Sequence, residues 1–289
     1  MIPFLHIGPL TIPTFGLCVA SALVAAFFLL RADLRRRGIE AEAESLVAIP
    51  AFAGIIGAKL YHVLESPREL FANPIGEIFS QFGFAWFGGL IGGVVAFFWI
   101  ARRIAKQNAA AGRPTRLLEI LDAGSPAAAL GYGIGRIGCL LAGDGDYGIP
   151  TSLPWGMSFP NGLVPTTQRV HPTPIYELIV ACIIAWGLWR LGARAVAERR
   201  KLMQAEACLA GKGAAAESGG KFAAGMLHVS AYRDGIVFAQ YLIWTGIARF
   251  LVEFIRINPR SFFGLTNAQA ASVVSIVAGL VLWWRLPRR

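Results

Sequence analysis

The run TGIARFLVEFIRI, residues 245–257, places three ionisable side chains in an otherwise apolar segment. Arg249, Glu253 and Arg256 are separated by four and then three residues, so a helix would place them on one face. Each charge at bilayer depth costs roughly 2.5–3.5 kcal/mol, and such charges usually serve a function. The alternative is an end-of-helix pair that reaches water and anchors the helix, which the position of Arg249 deep in the run opposes. We therefore expect this helix to carry the chemistry.

The overall composition agrees with a membrane protein. Hydrophobic residues make up 55% of the chain and charged residues 15%, whereas a soluble domain has about a quarter charged. The net charge of +10 is confined to particular connections, which favours bilayer topology over nucleic-acid binding. The four cysteines have neither metal-ligand spacing nor a pairing pattern, so no metal site is predicted. Residues 1–289 are expected to form a single polytopic membrane domain.

Seven apolar stretches are long enough to cross a hydrocarbon core of about 30 Å. We therefore predict an all-α integral membrane protein with seven transmembrane helices. The predicted spans are 14–31, 46–64, 83–101, 117–141, 174–192, 235–256 and 266–285.

The distribution of basic residues predicts the orientation. Twenty of the 27 Lys and Arg residues fall in 31–45, 102–116, 190–234 and the C-terminal tail. The alternate connections carry only Arg68, Arg169 and Arg260. By the positive-inside rule, the N-terminus is external, on the periplasmic side, and the C-terminus is cytoplasmic.

Two connections are long and differ in composition. Residues 193–234 are rich in Ala, Gly, Glu and Lys, which predicts a flexible cytoplasmic loop. Residues 142–173 contain prolines, aromatic residues, acids and His171, which predicts an ordered external loop with a functional role.

The chain has no internal repeat, so a transporter built from inverted repeats is not supported. The last span has no lysine, which excludes a retinal-type receptor.

The fourth predicted span carries a second buried cation. Arg136 follows Gly131, Gly133 and Gly135, and glycines at this spacing favour close packing of helices. A nucleotide-binding loop is a poor alternative, because no strand precedes these glycines. Arg136 needs an anionic partner, and either a buried carboxylate or a lipid phosphate would serve.

Several motifs together resemble the prolipoprotein diacylglyceryl transferase family. GRIG at 135–138 with the following LAGDGDYG is similar to the family's signature segment, and HPTPIYE at 171–177 is similar to its HP-x-x-x-YE motif. ARFLVEFIR at 248–256 is similar to its R-x-x-x-E-x-x-R helix. GAKLYHVLE at 57–65, GGLIGG at 88–93 and LTNAQAASVVSI at 265–276 resemble the remaining landmarks in the same order.

The resemblance implies an activity, a location and a set of partners. The family moves a diacylglyceryl group from phosphatidylglycerol to the lipobox cysteine of a prolipoprotein, forms a thioether and releases glycerol phosphate. This implies a multi-pass protein of the bacterial inner membrane that meets membrane lipids and the signal-peptide region of prolipoproteins. No metal or organic cofactor and no nucleic acid is implied.

The resemblance also implies roles for individual residues. Arg136 would hold the lipid headgroup, Arg249 would face the reacting phosphate ester, and Glu253 would orient Arg249 or Arg256. Guanidinium groups suit this task because their planar fork gives bidentate hydrogen bonds to phosphate. The catalytic candidates are Arg249, Glu253, His171 and Asp144, and the substrate-binding candidates are Arg136, Arg256, Tyr176, Glu177, Gly88 and Gly89. A purely structural hydrogen bond between helices is the alternative for Glu177.

The sequence departs from the family pattern at several positions. Phe87 stands where the family carries a histidine, Cys139 and Ala142 replace two asparagines, Asp144 approximates a glutamate, and Phe15 replaces a tyrosine. Without the usual histidine, His171 is a candidate base, because histidine suits proton transfer near neutral pH. Its alternative is a backbone hydrogen bond beside Pro172. Asp144 and Asp146 are further candidates, with solvated loop acids as the alternative.

These departures also leave a second function open. A divergent paralogue would bind anionic phospholipid without transferring it and would act in lipid handling or as a scaffold. Loss of the His and Asn positions favours that reading, and retention of every helix-borne Arg and Glu opposes it.

Overall fold

The computed structural model describes residues 1–78, 85–113, 115–210, 234–260 and 264–286. The chain divides into two compact units, one formed by 1–37 with 121–289 and the other by 38–120. The helices are α1 (Thr14–Arg37), α2 (Ala43–Glu65), α3 (Pro67–Ala72), α4 (Pro74–Ile78), α5 (Trp86–Ala110), α6 (Leu117–Ala142), α7 (Thr173–Ala210), α8 (Ile236–Val252) and α9 (Asn267–Arg285). The strands are β1 (Phe4–Ile7), β2 (Leu10–Pro13), β3 (Met157–Phe159) and β4 (Thr166–Val170).

Each of the seven predicted apolar stretches corresponds to a helix in the part of the chain that the structure describes. Five of these helices, α1, α2, α5, α7 and α9, are long and apolar enough to cross a membrane. The apolar helix α8 is shorter, and α6 falls outside the five. The prediction of a mostly helical membrane protein is confirmed at this level. Two short antiparallel hairpins, β1 with β2 and β3 with β4, accompany the helices.

In the first unit, small residues let α6 approach its neighbours closely, as the glycine spacing predicts. A Cβ at Gly131 would lie 3.5 Å from the Cβ of Ala26 in α1. At Gly133 it would lie 3.0 Å from the Cβ of Ala181 in α7. Gly135, by contrast, has open space beside it. Two of the three glycines therefore serve helix packing.

Several predicted boundaries were wrong. The helices α1 and α5 continue to Arg37 and Ala110, past the predicted ends at residues 31 and 101. The span predicted at 235–256 ends at Val252, and Glu253 is its C-cap. Arg256 lies beyond the helix in an isolated β-bridge with Gly148, a long-range pairing that overrides the local helical period. The connection predicted to be flexible from residue 193 is helical through Ala210, and residues 211–233 of that prediction lie outside the described residues.

In the second unit, α2 and α5 pack through glycines. A Cβ at Gly88 would clash with the carbonyl oxygen of Gly57, and one at Gly57 would clash with the carbonyl oxygen of Gly88. At Gly89 the nearest atoms are at ordinary contact distance. Gly88 thus has a packing role, and the predicted substrate-binding role of Gly88 and Gly89 stays a prediction.

Candidate active site

The 143–172 connection is held in place by an apolar cluster and by main-chain pairing. Tyr147, Phe159 and Val170 form the cluster, with the Tyr147 and Phe159 rings stacked at a centroid distance of 5.1 Å. The segment beginning at Gly148 pairs with two other segments at once. The Gly148 N–H donates to the His171 carbonyl at 2.8 Å, and the Ile149 N–H donates to the Ile255 carbonyl at 2.8 Å. This pairing brings the chain around Asp146, His171 and Arg256 to one place.

Three helices meet at this place through their ends. Arg136 lies near the end of α6, Glu177 near the start of α7, and Arg249 in the last turn of α8. Arg136, Arg249 and Arg256 converge here, and we call these three residues the arginine cluster. Arg249, which the sequence places deep in an apolar run, lies three residues before the end of α8. Glu253 and Arg256 are nevertheless buried rather than extended to water.

Glu177 is the carboxylate that all three arginines share. Its Oε1 lies 3.0 Å from Arg249 Nη1, and its Oε2 lies 3.3 Å from Arg256 Nη1 and 3.4 Å from Arg136 Nε. The Tyr132 hydroxyl also donates to Oε1, at 2.6 Å. Glu177 therefore does more than form a hydrogen bond between two helices, because it contacts three guanidinium groups and fixes their relative positions.

Glu253 supports the arginine cluster from the other side. Its Oε2 lies 3.0 Å from Arg249 Nη2 and 3.6 Å from Arg256 Nε, and Asn258 Nδ2 donates to its Oε1 at 2.6 Å. These are the contacts that the predicted orienting role requires, and the role itself stays a prediction. Removing one partner from such a buried set typically costs about 3–5 kcal/mol, because the remaining charges are left uncompensated.

Asp146 completes the set by bridging two arginines. Its Oδ2 pairs with Arg136 and its Oδ1 with Arg256. Burial raises the pKa of Asp146, but the guanidinium groups of Arg256 and Arg136 outweigh burial and hold this pKa below its ordinary value of 3.8. With Asp146 ionised, three carboxylates balance the three charges of the arginine cluster.

Asp144, a predicted catalytic residue, lies beside this set. Its Oδ1 accepts from the Asp146 N–H at 3.2 Å, and its carboxyl shares a hydrogen bond with the Cys139 thiol. Burial, and then the charge of Asp146, raise the pKa of Asp144 above 3.8. Side-chain ligand atoms of Cys139, Asp144 and Asp146 lie within 4.8 Å of one another. This group could hold a metal ion by distance, but the arginines on Asp146 oppose a cation electrostatically.

His171 and Tyr176 form a separate hydrogen-bonded pair. His171 Nδ1 lies 3.2 Å from the Tyr176 hydroxyl, which also accepts from the Trp155 indole N–H at 2.8 Å. This pairing leaves the other ring nitrogen, Nε2, without a partner among the residues that the structure describes. The His171 carbonyl accepts from Gly148, so the predicted backbone role of His171 exists beside its ring contact.

The positions that depart from the family pattern are not equivalent. Cys139 Sγ lies 3.6 Å from Arg136 Nη1, so this residue touches the arginine cluster. The Phe15 ring lies 3.0 Å from the Cβ position of Gly138, which is a packing contact on α6. Ala142 is buried. Phe87 belongs to the second unit, where its ring meets that of Trp86 edge-on at 5.3 Å.

Sequence analysis missed Tyr132 and gave Asp146 too little weight. Tyr132 donates to Glu177, and its ring lies 4.7 Å from the Arg136 guanidinium carbon. The signal for Tyr132 was available, because it precedes Arg136 by four residues and therefore shares its helical face. Asp146 carries no such local signal, since Arg136 and Arg256 come from other segments. Asn258 lies five residues after Glu253 and beyond the end of α8, so the helical period does not predict their contact.

The fold and site define a class: a multi-pass membrane protein with buried arginines that carboxylates hold in a fixed arrangement, suited to binding an anionic group. The prolipoprotein diacylglyceryl transferase family model matches residues 3–210 and 219–285. The chain therefore belongs to the prolipoprotein diacylglyceryl transferase family, as the motifs predict.

Named relatives cover nearly the whole chain. A phosphatidylglycerol–prolipoprotein diacylglyceryl transferase of Clostridium tetani is 28% identical over 93% of this chain and 91% of its own length. Proteins of the same name from Leifsonia xyli and Synechococcus elongatus are 29% and 28% identical. They cover 97% and 96% of this chain, and 75% and 84% of their own lengths.

Proposed function

We propose that this protein transfers the diacylglyceryl group of phosphatidylglycerol to the lipobox cysteine thiol of prolipoproteins. The observation that carries the proposal is the arginine cluster, where three guanidinium groups from distant segments share Glu177. The names of the relatives state phosphatidylglycerol and a prolipoprotein as their substrates, which supports the same reaction here.

The reaction makes one bond and breaks one. The thiolate sulfur attacks the glyceryl carbon that carries the phosphate ester, so a C–S bond forms as the C–O bond breaks. The electron pair leaves with the oxygen of glycerol phosphate, and the thiol proton passes to a base. Negative charge therefore builds on the departing phosphate, and preorganised donors that meet this charge contribute on the order of 3–4 kcal/mol each.

The arginine cluster supplies such donors. Arg249 is the most exposed of its members, with 25% of its side chain accessible, which suits contact with the reacting ester. Arg136 would hold the headgroup, with Arg256 beside it. Glu177 and Glu253 keep the guanidinium groups oriented, so little reorganisation is needed when the phosphate arrives.

His171 is the leading candidate for the base. The Tyr176 hydroxyl fixes the ring through Nδ1, which leaves Nε2 to accept the thiol proton. Asp144 is the second candidate, because its raised pKa makes it a stronger base than an ordinary aspartate. Because Phe87 stands where the family carries a histidine, we expect one of these two residues to act in its place.

The reaction also requires a topology. We place the protein in the bacterial inner membrane with seven spans, an external N-terminus and a cytoplasmic C-terminus. The ends of α6 and α8 that carry Arg136 and Arg249 then face the external side, where exported prolipoproteins and their lipobox segments arrive. A reporter fused after residue 289 should be cytoplasmic, and an external signal would contradict this orientation.

Complementation tests the function directly. Expression in a strain depleted of its own transferase should restore a thioether-linked diacylglyceryl group on a reporter lipoprotein, detected by mass spectrometry. Arg136→Ala should abolish this product without lowering the amount of membrane-inserted protein. Arg260→Ala, at an exposed arginine, is the matched control and should retain transfer. A correctly inserted wild-type protein that produces no thioether would refute the proposal.

A further inference from the structure

One of the three carboxylates that hold the arginine cluster differs from the others in its access to water. The side chain of Asp146 is 28% exposed, whereas those of Glu177 and Glu253 are 3% and 0% exposed. A buried carboxylate that leaves its partners loses its ion pairs and gains no water in their place. Asp146 can exchange its arginines for water, so it is the partner whose departure costs least.

The geometry of Asp146 also resembles that of a bound phosphodiester. Its two oxygens face different guanidinium groups, Oδ2 toward Arg136 and Oδ1 toward Arg256. The two non-bridging oxygens of a phosphodiester are likewise two anionic acceptors on one central atom. Guanidinium groups donate hydrogen bonds to carboxylate and to phosphate in similar arrangements, so the same two arginines can bind either anion.

The main chain around Asp146 is held by hydrogen bonds that do not involve its side chain. The Thr173 hydroxyl donates to the Asp146 carbonyl, and the Asp146 N–H donates to Asp144 Oδ1 at 3.2 Å. Release of the carboxylate therefore needs rotation about side-chain bonds and no rearrangement of the connection. Rotamer changes of this kind are fast compared with enzyme turnover.

Charge balance favours an exchange over simple addition. Three arginines face three carboxylates, so a phosphodiester that joined the set would leave one uncompensated negative charge at a largely buried site. Replacing the Asp146 carboxylate by the phosphodiester, one monoanion for another, keeps the balance.

We propose that Asp146 is an internal counter-ion of the phosphate site: it occupies Arg136 and Arg256 in the lipid-free protein and is displaced by the phosphodiester of the lipid substrate. The inference rests on the proposed function, because the ligand it names is the phosphate that the transferase would bind. Asp146 is thus a positioning residue that competes with substrate and, by returning to the arginines, helps glycerol phosphate to leave.

Asp146→Asn in the full-length protein tests this proposal. The neutral amide competes less well for the arginines, so the Kd for phosphatidylglycerol in mixed micelles should fall about five- to tenfold, within the usual range for coupled sites. KM should fall with the Kd, while kcat should not rise. A merely structural role for Asp146 predicts weaker binding instead. Glu40→Gln, which removes one negative charge from an exposed ion pair with Arg113, is the control and should change the Kd less than twofold.

A second ligand identifies what displaces Asp146. If soluble sn-glycerol 1-phosphate also binds Asp146→Asn more tightly than the wild type, the phosphate group alone is sufficient. If only phosphatidylglycerol does so, the lipid is the ligand, and both results support displacement. An unchanged or increased Kd for phosphatidylglycerol overturns the proposal.

Two further outcomes keep the test decisive. If the Asn variant fails to fold, Asp146→Ser repeats the binding measurement. Failure of both variants to fold in phosphatidylglycerol micelles would also overturn the proposal, because a side chain that lipid displaces is not needed in the lipid-bound state. Wild-type transfer without tighter binding by Asp146→Asn refutes the counter-ion alone. Tighter binding in a protein that never forms a thioether refutes the proposed function and leaves the counter-ion standing.

Discussion

The arginine cluster lies at one end of α6 and α8, and a second ion cluster lies at their other end. This second cluster consists of Asp33, Arg36, Arg37 and Asp122. The two clusters contain the same residue types but use them differently. In the second cluster the acids are fixed. Asp122 accepts from the N–H groups of Gly235 and Phe238 at 2.9 and 2.8 Å, which caps the start of α8. Asp33 lies 2.9 Å from Arg37 Nε and also pairs with Arg36.

The difference lies in which charge can be released. Asp33 and Asp122 are completely buried, and Asp122 is bound by the main chain as well as lying 4.0 Å from Arg37. Arg36 is further held over the Trp189 ring at 3.8 Å. This cluster has no partly exposed carboxylate equivalent to Asp146. A fixed set of charges stabilises the fold, whereas a set with one replaceable anion can bind a ligand.

The largest expected effect is on stability, from Asp122→Asn. The substitution weakens the cap of α8 and leaves Arg37 facing an uncharged group at a buried site, so the free energy of unfolding should fall by about 3–5 kcal/mol. Thermal unfolding in detergent measures this loss. Glu40→Gln is the control, because its ion pair with Arg113 is exposed and should be worth about 0–1 kcal/mol.

Asp122→Asn should also leave the lipid Kd of the folded fraction unchanged. A selective loss of phosphatidylglycerol binding would break the distinction between the two clusters.

The next effect is catalytic, from Arg249→Ala. Losing one preorganised donor to the departing phosphate should lower kcat/KM by about 10²- to 10³-fold, with membrane insertion intact. Arg249→Lys should recover only part of the activity, because an ammonium group lacks the planar fork that meets Glu177 and Glu253 together. Near-normal turnover of the alanine variant would show that this cluster, like the second one, is structural.

A smaller catalytic effect is expected from His171→Ala. Loss of a base should lower kcat by about 10²-fold with little change in KM. Tyr176→Phe removes the hydroxyl that orients the ring and should cost less. The His171 substitution should be more damaging here than in relatives that keep the family histidine. Equal tolerance in both backgrounds would argue against His171 as the replacement base.

The sequence predicted the local part of the site and missed its long-range part. The contact between Arg249 and Glu253 follows from their spacing of four residues on one helix. The central position of Glu177 does not, because its three arginine partners come from α6, α8 and the segment after α8. The end of α8 was misplaced for the same reason, since the pairing of Arg256 with Gly148 is not visible in the helical period.

The choice between the two neighbouring acids also depended on the fold. Gly143 and Gly145 adopt φ values of 59° and 91°, and this backbone turns Asp146 rather than Asp144 toward the arginines. The sequence alone does not distinguish Asp144 from Asp146 as the partner of the arginines. Hydropathy, in contrast, was sufficient to locate a helix at each of the seven apolar stretches, and five of these helices are long and apolar enough to cross a membrane. Burial in lipid requires long apolar runs whatever the tertiary contacts are.

The smallest expected effects come from these two acids and should have opposite signs. The pKa of Asp146 is lowered in the folded protein, so its charge stabilises the fold above pH 3.8, and this contribution is lost as the pH falls through the lowered value. The pKa of Asp144 is raised, so its contribution is present below pH 3.8 and is lost as the pH rises through the raised value.

At pH 7 without lipid, Asp146→Asn should therefore lower the Tm, and Asp144→Asn, which imitates the protonated acid, should raise it. Acidification toward pH 3.8 should shrink the difference between Asp144→Asn and the wild type, whereas the difference for Asp146→Asn should shrink only below pH 3.8. Added phosphatidylglycerol should raise the Tm of Asp146→Asn more than that of the wild type, because no internal anion has to be displaced. Tm shifts of the same sign for the two variants at pH 7 would mean that the two acids do not differ in their contact with the arginines. The contrast between the two ion clusters would then lose its support at Asp146.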